Sequence, residues 1–384
     1  MVNMHLTGGR ERAVAVVDIS PGSASVAILA VHGTEPANIV ATGRSKLTLE
    51  PRTAEQAIAQ IAGQIQEAGK EALDAYAKDG HNAAVGTVYI VVHAPWATTR
   101  SVRAEEHYGK DGLIHDSMVS TLAQQSLSGT RDLDRSKLIE AAVLRVQLNG
   151  YTIAQPEGKH AHAMDVVSLL SECEPAVRSA VAQAVQKVFP VGKMLWRSAI
   201  RAYMTIMAHK GDEGTLNRHY LVVDMGVDTT HIVSVRGAAF EQRVVAEGVR
   251  TILSRIVGGK LPEDVLTSLR MLEHDACSTE TCEAVQKALV LAESELVRMF
   301  ADPVGQMATT RRAANDLLLV THPDLEPWLA RLFSRIDFSQ FTVTTLPFAV
   351  CTPSSIHIDR WISGEAAEDS LAVAAALVNI ESNE

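Results

Sequence analysis

Two stretches of this chain share one rhythm of apolar and polar positions. Val16 to Leu29, VVDISPGSASVAIL, passes from apolar residues through an Asp and a run of small residues back to apolar ones, and Val222 to Val235, VVDMGVDTTHIVSV, does the same. Each predicts a β-hairpin in which the Asp closes a buried strand, Gly and Ser allow a tight turn, and a second strand returns. A third strand follows in both places, Ala37 to Thr42 and then AAFEQRVVA, so the strand order of the first half recurs in the second.

Between these markers the pattern alternates in type. Thr53 and Gln56 form a capping box for a long helix with Ile58, Ile61, Ile65 and Ala72 on one face and Gly80 at its exit. TVYIVVH, ending at His93 and bounded by Pro95, is apolar nearly throughout and predicts a buried central strand. Residues 1–105 thus read as strand, strand, strand, helix, strand. From 106 to 197 a helix around His115 to Ser126, strands at LIEAAVLRVQLNG, YTIAQPEG and MDVVSLLS, a helix with Val177, Val181, Val185 and Val188 on one stripe, and the strand KMLWRS predict an inserted α+β block.

A helix, AIRAYMTIMAH, and the polar loop GDEGTLNRH make a return segment over 198–212. Residues 213–250 carry the second hairpin. Residues 251–310 predict a helical insertion, with Leu289, Ala292, Leu296 and Met299 on one face. The remainder, 311–384, reads as the strand LLLVT, the helix LEPWLARLFSRI, the strand FTVTTLP and the closing helix SLAVAAALVNI. The expected fold class is α/β, with two duplicated half-domains around a cleft.

Composition narrows the function. At 384 residues the chain exceeds a single core, which stops growing at about 250–300 residues. A net charge of −10 with no Lys/Arg cluster argues against a nucleic-acid partner. The apolar runs VGTVYIVV and SLAVAAALV are too short to span a membrane, and MVNMHLTGGRERAV lacks the apolar core of a signal peptide, which predicts a cytoplasmic protein with no direct membrane insertion. Cys173, Cys277, Cys282 and Cys351 show no CxxC pairing and are expected as reduced thiols. His160 and His162 read as solvated, and Gly258-Gly259-Lys260 lacks the upstream Gly and following Ser/Thr of a phosphate loop.

The hairpins carry the candidate chemistry. A tight turn points several backbone N–H groups into one space and binds an anion there, while a carboxylate beside it can hold Mg²⁺ through water. Two such turns facing each other would grip a polyphosphate from both sides. Two ordinary hairpins of an α/β sheet would carry the same pattern.

The duplicated Asp-containing hairpins resemble those of the actin, Hsp70 and sugar-kinase ATPase superfamily. The inserted block, with Asn149-Gly150-Tyr151 and Pro156-Glu157-Gly158, is similar to the extra SHS2-type subdomain of the cell-division actin homologue FtsA and of its relative in type IV pilus assembly, PilM; Ala94-Pro95-Trp96 also resembles the FtsA-like group. The resemblance implies ATP or ADP with Mg²⁺ in the cleft. Asp18 and Asp224 would approach the Mg²⁺ through water. Ser20, Gly22 and Ser23 in one turn, and Gly226, Thr229 and Thr230 in the other, would face the phosphates, with Glu293 and Arg298 at the ribose or on a solvated helix face.

The departures from the family pattern bear on activity. His322-Pro323-Asp324 stands where the family has a Gly-Gly adenosine turn, Ser20-Pro21 removes one donor from the first nest, and Arg197 and Ser198 stand where relatives orient the attacking water. The expectation is an FtsA-like division scaffold, nucleotide-modulated, self-associating, with weak or absent hydrolysis. It would join a tubulin-like division protein to membrane partners, and a partner would recruit it to the inner face of the membrane. The alternative is a PilM-like adapter for a membrane-spanning assembly protein; a small-molecule kinase is a third reading.

Overall fold

Residues buried on both faces of a strand read as unbroken apolar runs, and the two hairpins show why. In β1 (Arg12–Ser20), Val14 and Val16 enter one core while Ala13, Ala15, Val17 and Ile19 enter another on the opposite face. The computed structural model describes residues 12–33, 35–45, 53–130, 132–209, 219–256, 262–274, 276, 278–308 and 312–383. The N-terminal segment, Gly258-Gly259-Lys260, Cys277 and most of the GDEGTLNRH loop lie outside the described residues.

In chain order, β1 is followed by β2 (Ser23–Val31), β3 (Ala37–Arg44), α1 (Ala54–Lys78) and β4 (Thr87–Val92). Next come β5 (Ala97–Leu113), α2 (Asp116–Gly129), β6 (Leu138–Leu148), β7 (Tyr151–Thr152), β8 (His160–Cys173), α3 (Pro175–Val188), β9 (Lys193–Ser198) and α4 (Ala199–Ala208). The second half holds β10 (His219–Met225), β11 (Thr230–Arg236), β12 (Ala239–Val245), α5 (Val249–Ile256), α6 (Pro262–Glu273) and α7 (Thr279–Ala308). It continues with β13 (Asp316–Val320), α8 (Glu326–Phe333), β14 (Ala349–Cys351), β15 (Ile362–Ser363) and α9 (Asp369–Asn383).

The duplication is structural. One sheet runs β15-β3-β2-β1-β4-β9 and another β12-β11-β10-β13-β14. In each, the first strand pairs antiparallel with the second and parallel with the fourth. Helices α4 and α9 lie in one apolar core with the facing sides of both sheets, including Val14, Val16 and Tyr89 from one and Tyr220, Val222 and Val320 from the other. Helices α1 and α3 cover the far face of the first sheet, and α5 to α8 that of the second. We call these halves lobe I and lobe II. The capping box of α1 forms as expected, between Thr53 and Gln56.

Five expectations are corrected. Residues 97–113, expected to hold a boundary, are one long strand that pairs with β8 along the edge of a separate sheet ordered β5-β8-β6-β7. The inserted unit therefore spans 97–173 rather than 106–197: α3 packs in the core with α1, and β9 pairs with β4 in parallel register from Thr87↔Lys193 to Val92↔Ser198. The closing helix α9, placed by chain order in the second half, contributes its apolar residues to the core beside β1, β2 and α4, and β15 pairs with β3, so both complete lobe I.

The segment FTVTTLP is not a strand. It makes an isolated bridge, Ala313 N–H donating to the Phe341 carbonyl at 2.8 Å and Val343 N–H to the Ala313 carbonyl at 2.9 Å; beyond it Asn315 accepts from Thr344 N–H at 3.2 Å and donates to the Leu346 carbonyl at 2.6 Å, and Val343 and Leu346 are exposed. Cys173 and Cys351 are buried, the Cys351 thiol donating to the Leu317 carbonyl at 3.3 Å, whereas Cys282 is disulfide-bonded.

Candidate functional site

Alternation along three strands assembles the site. Val14 and Val16 of β1 face the interlobe core, so Asp18 leaves from the same side; Tyr220 and Val222 of β10 place Asp224 likewise. Tyr89 and Val91 of β4 face the same core, and the next position in that row is His93. Its backbone N–H donates to the Ile19 carbonyl at 3.0 Å, which fixes the ring at the level of Asp18.

His93 joins the two lobes. Its Nε2 lies 2.8 Å from Asp18 Oδ1 and its Nδ1 2.7 Å from Asp224 Oδ2, and all three side chains are about 5% exposed. Ionised carboxylates only accept, so both ring nitrogens must donate and the ring is an imidazolium. Burial works against that charge, but the Asp18 and Asp224 carboxylates outweigh it and hold the His93 pKa well above the ordinary value. Burial likewise opposes the Asp224 charge, and His93 overrides it to keep that carboxyl below the usual range. Tyr203 of α4 completes the cluster. Its hydroxyl is 3.5 Å from His93 Nδ1 and hydrogen-bonds to Asp224, and its pKa is pushed up by burial first and the two carboxylates second.

The hairpin turns meet directly. The first is a two-residue turn, Pro21-Gly22, with Gly22 at φ +95°, the pattern of a type II turn. A Cβ added to Gly22 would stand 2.8 Å from Asp228 Oδ2 and 2.9 Å from Val227 of the opposite turn. The Ser20 and Ser23 hydroxyls bond each other at 2.8 Å, and the Gly22 carbonyl accepts from Gln64 of α1 at 3.0 Å. Thr229 donates to the Ala94 carbonyl at 3.4 Å and Thr230 to the Glu247 carbonyl at 2.7 Å, so both hydroxyls are spent on backbone. Asp228 is ion-paired with Arg250 of α5.

What remains between the turns is a cavity of about 40 Å³ lined by Ser20, Ser23, His93, Asp224, Gly226 and His322, among others. That volume holds roughly two or three waters. A pocket for a nucleotide-sized ligand runs to about 300–1,000 Å³. The lining holds the acidic side chains Asp224 and Glu368 and no Lys or Arg. With both aspartates engaged by His93 and the turns in contact, the residues present do not fit Mg²⁺ and a triphosphate in this conformation.

The structure brings Asp18, Ser20, Gly22, Ser23, Asp224 and Gly226 together, and adds His93 and Tyr203. It does not bring Glu293 or Arg298 to them. Glu293 accepts from Trp328 Nε1 of α8 at 3.2 Å and pairs with Arg335 just beyond that helix, while Arg298 lines a separate groove of about 370 Å³ between α7 and β12. Arg197 and Ser198 are engaged elsewhere too. Arg197 binds Glu381 of α9 through Nε and Nη2 at 2.9 and 2.7 Å, and Ser198 caps α4 and donates to the buried Glu140 at 3.1 Å. Where a Gly-Gly turn would admit a nucleoside, His322 fills the space, with Nε2 3.2 Å from Arg44 of lobe I. Burial above all, with Arg44 and Arg270 nearby, lowers its pKa to about 4, so the ring is neutral.

No protein-family model matches the chain, and no curated protein matches it by sequence. Solved structures do match in shape. The structure described as the PilM-PilN type IV pilus biogenesis complex aligns over 97% of this chain and 98% of that one, with TM-score 0.55 and 16% identity. The fold is that of the actin-like ATPases. The nucleotide-free diol dehydratase-reactivating factor aligns over 97% of this chain and 100% of that one, at TM-score 0.46 and 9% identity. A Bacteroides thetaiotaomicron protein with an actin-like ATPase fold and unknown function aligns over 98% of both, at 0.35 and 10%. Among the described residues no helix is long and apolar enough to cross a membrane.

Proposed function

We propose that this protein is a non-catalytic adapter of the actin-like fold that docks a membrane-spanning assembly protein and is recruited to the membrane by it. The observation that carries this reading is the Asp18–His93–Asp224 bridge, which occupies the place where an ATPase of this fold would act on Mg²⁺·ATP. A kinase or a nucleotide-modulated scaffold needs a cleft that admits a nucleotide. An adapter needs only a rigid body and a surface. The end-to-end likeness in fold to PilM, which is solved in complex with PilN, supports the adapter over the division-ring scaffold expected from the hairpin and Ala94-Pro95-Trp96.

Two measurements test it. The purified chain is expected to show no ATP turnover above background and no Mg²⁺·ATP-dependent pelleting on ultracentrifugation. It is also expected to bind the cytoplasmic segment of a membrane-spanning protein encoded beside it. Turnover that depends on Asp18 and Asp224, or nucleotide-dependent filaments, would overturn the reading in favour of an enzyme or a polymerising scaffold.

A further inference from the structure

We infer that His93 stands in for the divalent cation of the fold, so that a protein side chain clamps the two lobes and the cleft admits neither a free metal ion nor a Mg²⁺·polyphosphate. This deepens the adapter reading and rests on it, and the tests below separate the two.

Three features support the substitution. The first is ligand use. A hard cation such as Mg²⁺ needs about six oxygen ligands in near-octahedral geometry. Here one oxygen of each strand-end carboxylate, Asp18 Oδ1 and Asp224 Oδ2, ends on a ring nitrogen, at 2.8 and 2.7 Å. The second is immobility. The His93 main chain is held on both sides, its N–H to the Ile19 carbonyl and its C=O accepting from Ala97 N–H at 3.0 Å, and Tyr203 packs edge-on with ring centroids 6.3 Å apart. The third is the surrounding contact: Gly22 lies against Val227 and Asp228, and Gly226 lies 3.5 Å from Ser20 Oγ measured from an added Cβ. Turns this close leave no gap for phosphates to enter beside the ring.

A satisfied core histidine would also be buried and hydrogen-bonded. What separates His93 from that case is that its partners are the aspartates of two duplicated hairpins, on separate lobes, at matching positions of β1 and β10. The ring thus ties the two lobes together at the phosphate end of the cleft.

The full-length chain and its His93→Gly variant provide the test. Mn²⁺ alone is titrated against each and read by its electron paramagnetic resonance signal, and thermal unfolding is followed with Mg²⁺·ADP, Mg²⁺·ATP or free imidazole added. The wild type is expected to bind Mn²⁺ no better than its surface carboxylates do and to show no melting shift with either nucleotide. The glycine variant leaves two carboxylates facing a hole of imidazole shape. It is expected to melt lower, to recover on adding imidazole, which leaves the wild type unmoved, and to gain Mn²⁺ affinity by about tenfold or more, the scale on which changes around a metal move its affinity.

A wild-type melting shift with Mg²⁺·nucleotide that Asp18→Asn removes would overturn the inference. If that occurs without turnover or filaments, the adapter reading survives the loss. Absence of both imidazole rescue and Mn²⁺ gain in a folded glycine variant would overturn it equally. Should that variant not fold, the wild-type Mn²⁺ and nucleotide titrations decide, binding against the inference and no binding for it.

Discussion

Gly22 of lobe I and Asp228 of lobe II are in contact across the cleft: a Cβ on the glycine would come within 2.8 Å of the Asp228 carboxylate. Backbone strain alone at a left-handed position costs about 1–2 kcal/mol for a residue with a Cβ. Gly33 at φ +50°, with nothing within 4 Å of its added Cβ, provides the comparison. Gly33→Ala is expected to lose about that much in urea unfolding, and Gly22→Ala markedly more, because it also pushes the turns apart. Equal losses would show that the turns do not meet in solution.

Tyr203 carries the one hydroxyl that adds a third partner to the His93–Asp224 pair, and it is 1% exposed. Tyr203→Phe keeps the ring and removes only that hydrogen bond to charged groups. The expected loss is roughly 1.5–3 kcal/mol. A two-state denaturation curve indistinguishable from wild type would place the hydroxyl outside the network.

Removing His93 itself strands two carboxylates in a buried site. Breaking a buried ion pair from one side costs about 3–5 kcal/mol. His93→Ala is expected to lose at least that much in equilibrium unfolding, and combining it with Asp18→Asn and Asp224→Asn should recover part of the loss. No recovery in the triple variant would mean that packing of the ring, not the charges, sets its contribution.

Asp369 at the start of α9 and Glu326 at the start of α8 bring a second acidic pair across the lobes. Burial first, and then hydrogen bonding and repulsion from Glu326, raise the Asp369 pKa from 3.8 to about 8. An acid whose folded pKa is raised binds its proton more tightly folded than unfolded, so its contribution is complete below about pH 4. It declines as pH rises and is lost by about pH 8. Wild type minus Asp369→Asn stability, measured at intervals over that window, should fall with pH. A flat difference would mean that the two carboxyls do not share a proton.

Arg197 stands where relatives orient the attacking water, and it lies between Glu381 and Glu140 at 2.7 and 3.6 Å. Arg197→Met is expected to lower stability by about 3 kcal/mol, as loss of one side of a largely buried ion network does. It should leave cleft binding as in wild type. An effect on nucleotide binding with no change in unfolding would mean that Arg197 acts on the cleft and not in this network.

The duplicated architecture was legible because β1 and β10 are buried on both faces and end in the same Asp-and-turn punctuation. Strand β5 was not, since ATTRSVRAEEHYGKDGL lies on a sheet edge, where alternation sets charged positions against other polar ones and leaves no apolar rhythm. His93 was within reach: it is the third member of the row Tyr89, Val91, His93. A single His after a buried strand nevertheless carries no mark of a partner 131 positions away. The same limit applies to α9. Its nearly uninterrupted apolar residues told of burial on all sides, while nothing in chain order told which sheet it would cover.

Because α9 follows every other element of both lobes yet lies against β1 and β2, a ribosome must deliver all of those elements before lobe I can close. Until then the sheet that carries Asp18 presents an uncovered apolar face, including Val14, Val16, Ala27 and Leu29. Vectorial synthesis thus makes this half of the molecule the one most exposed to premature association, and the one that a chaperone would have the longest time to hold.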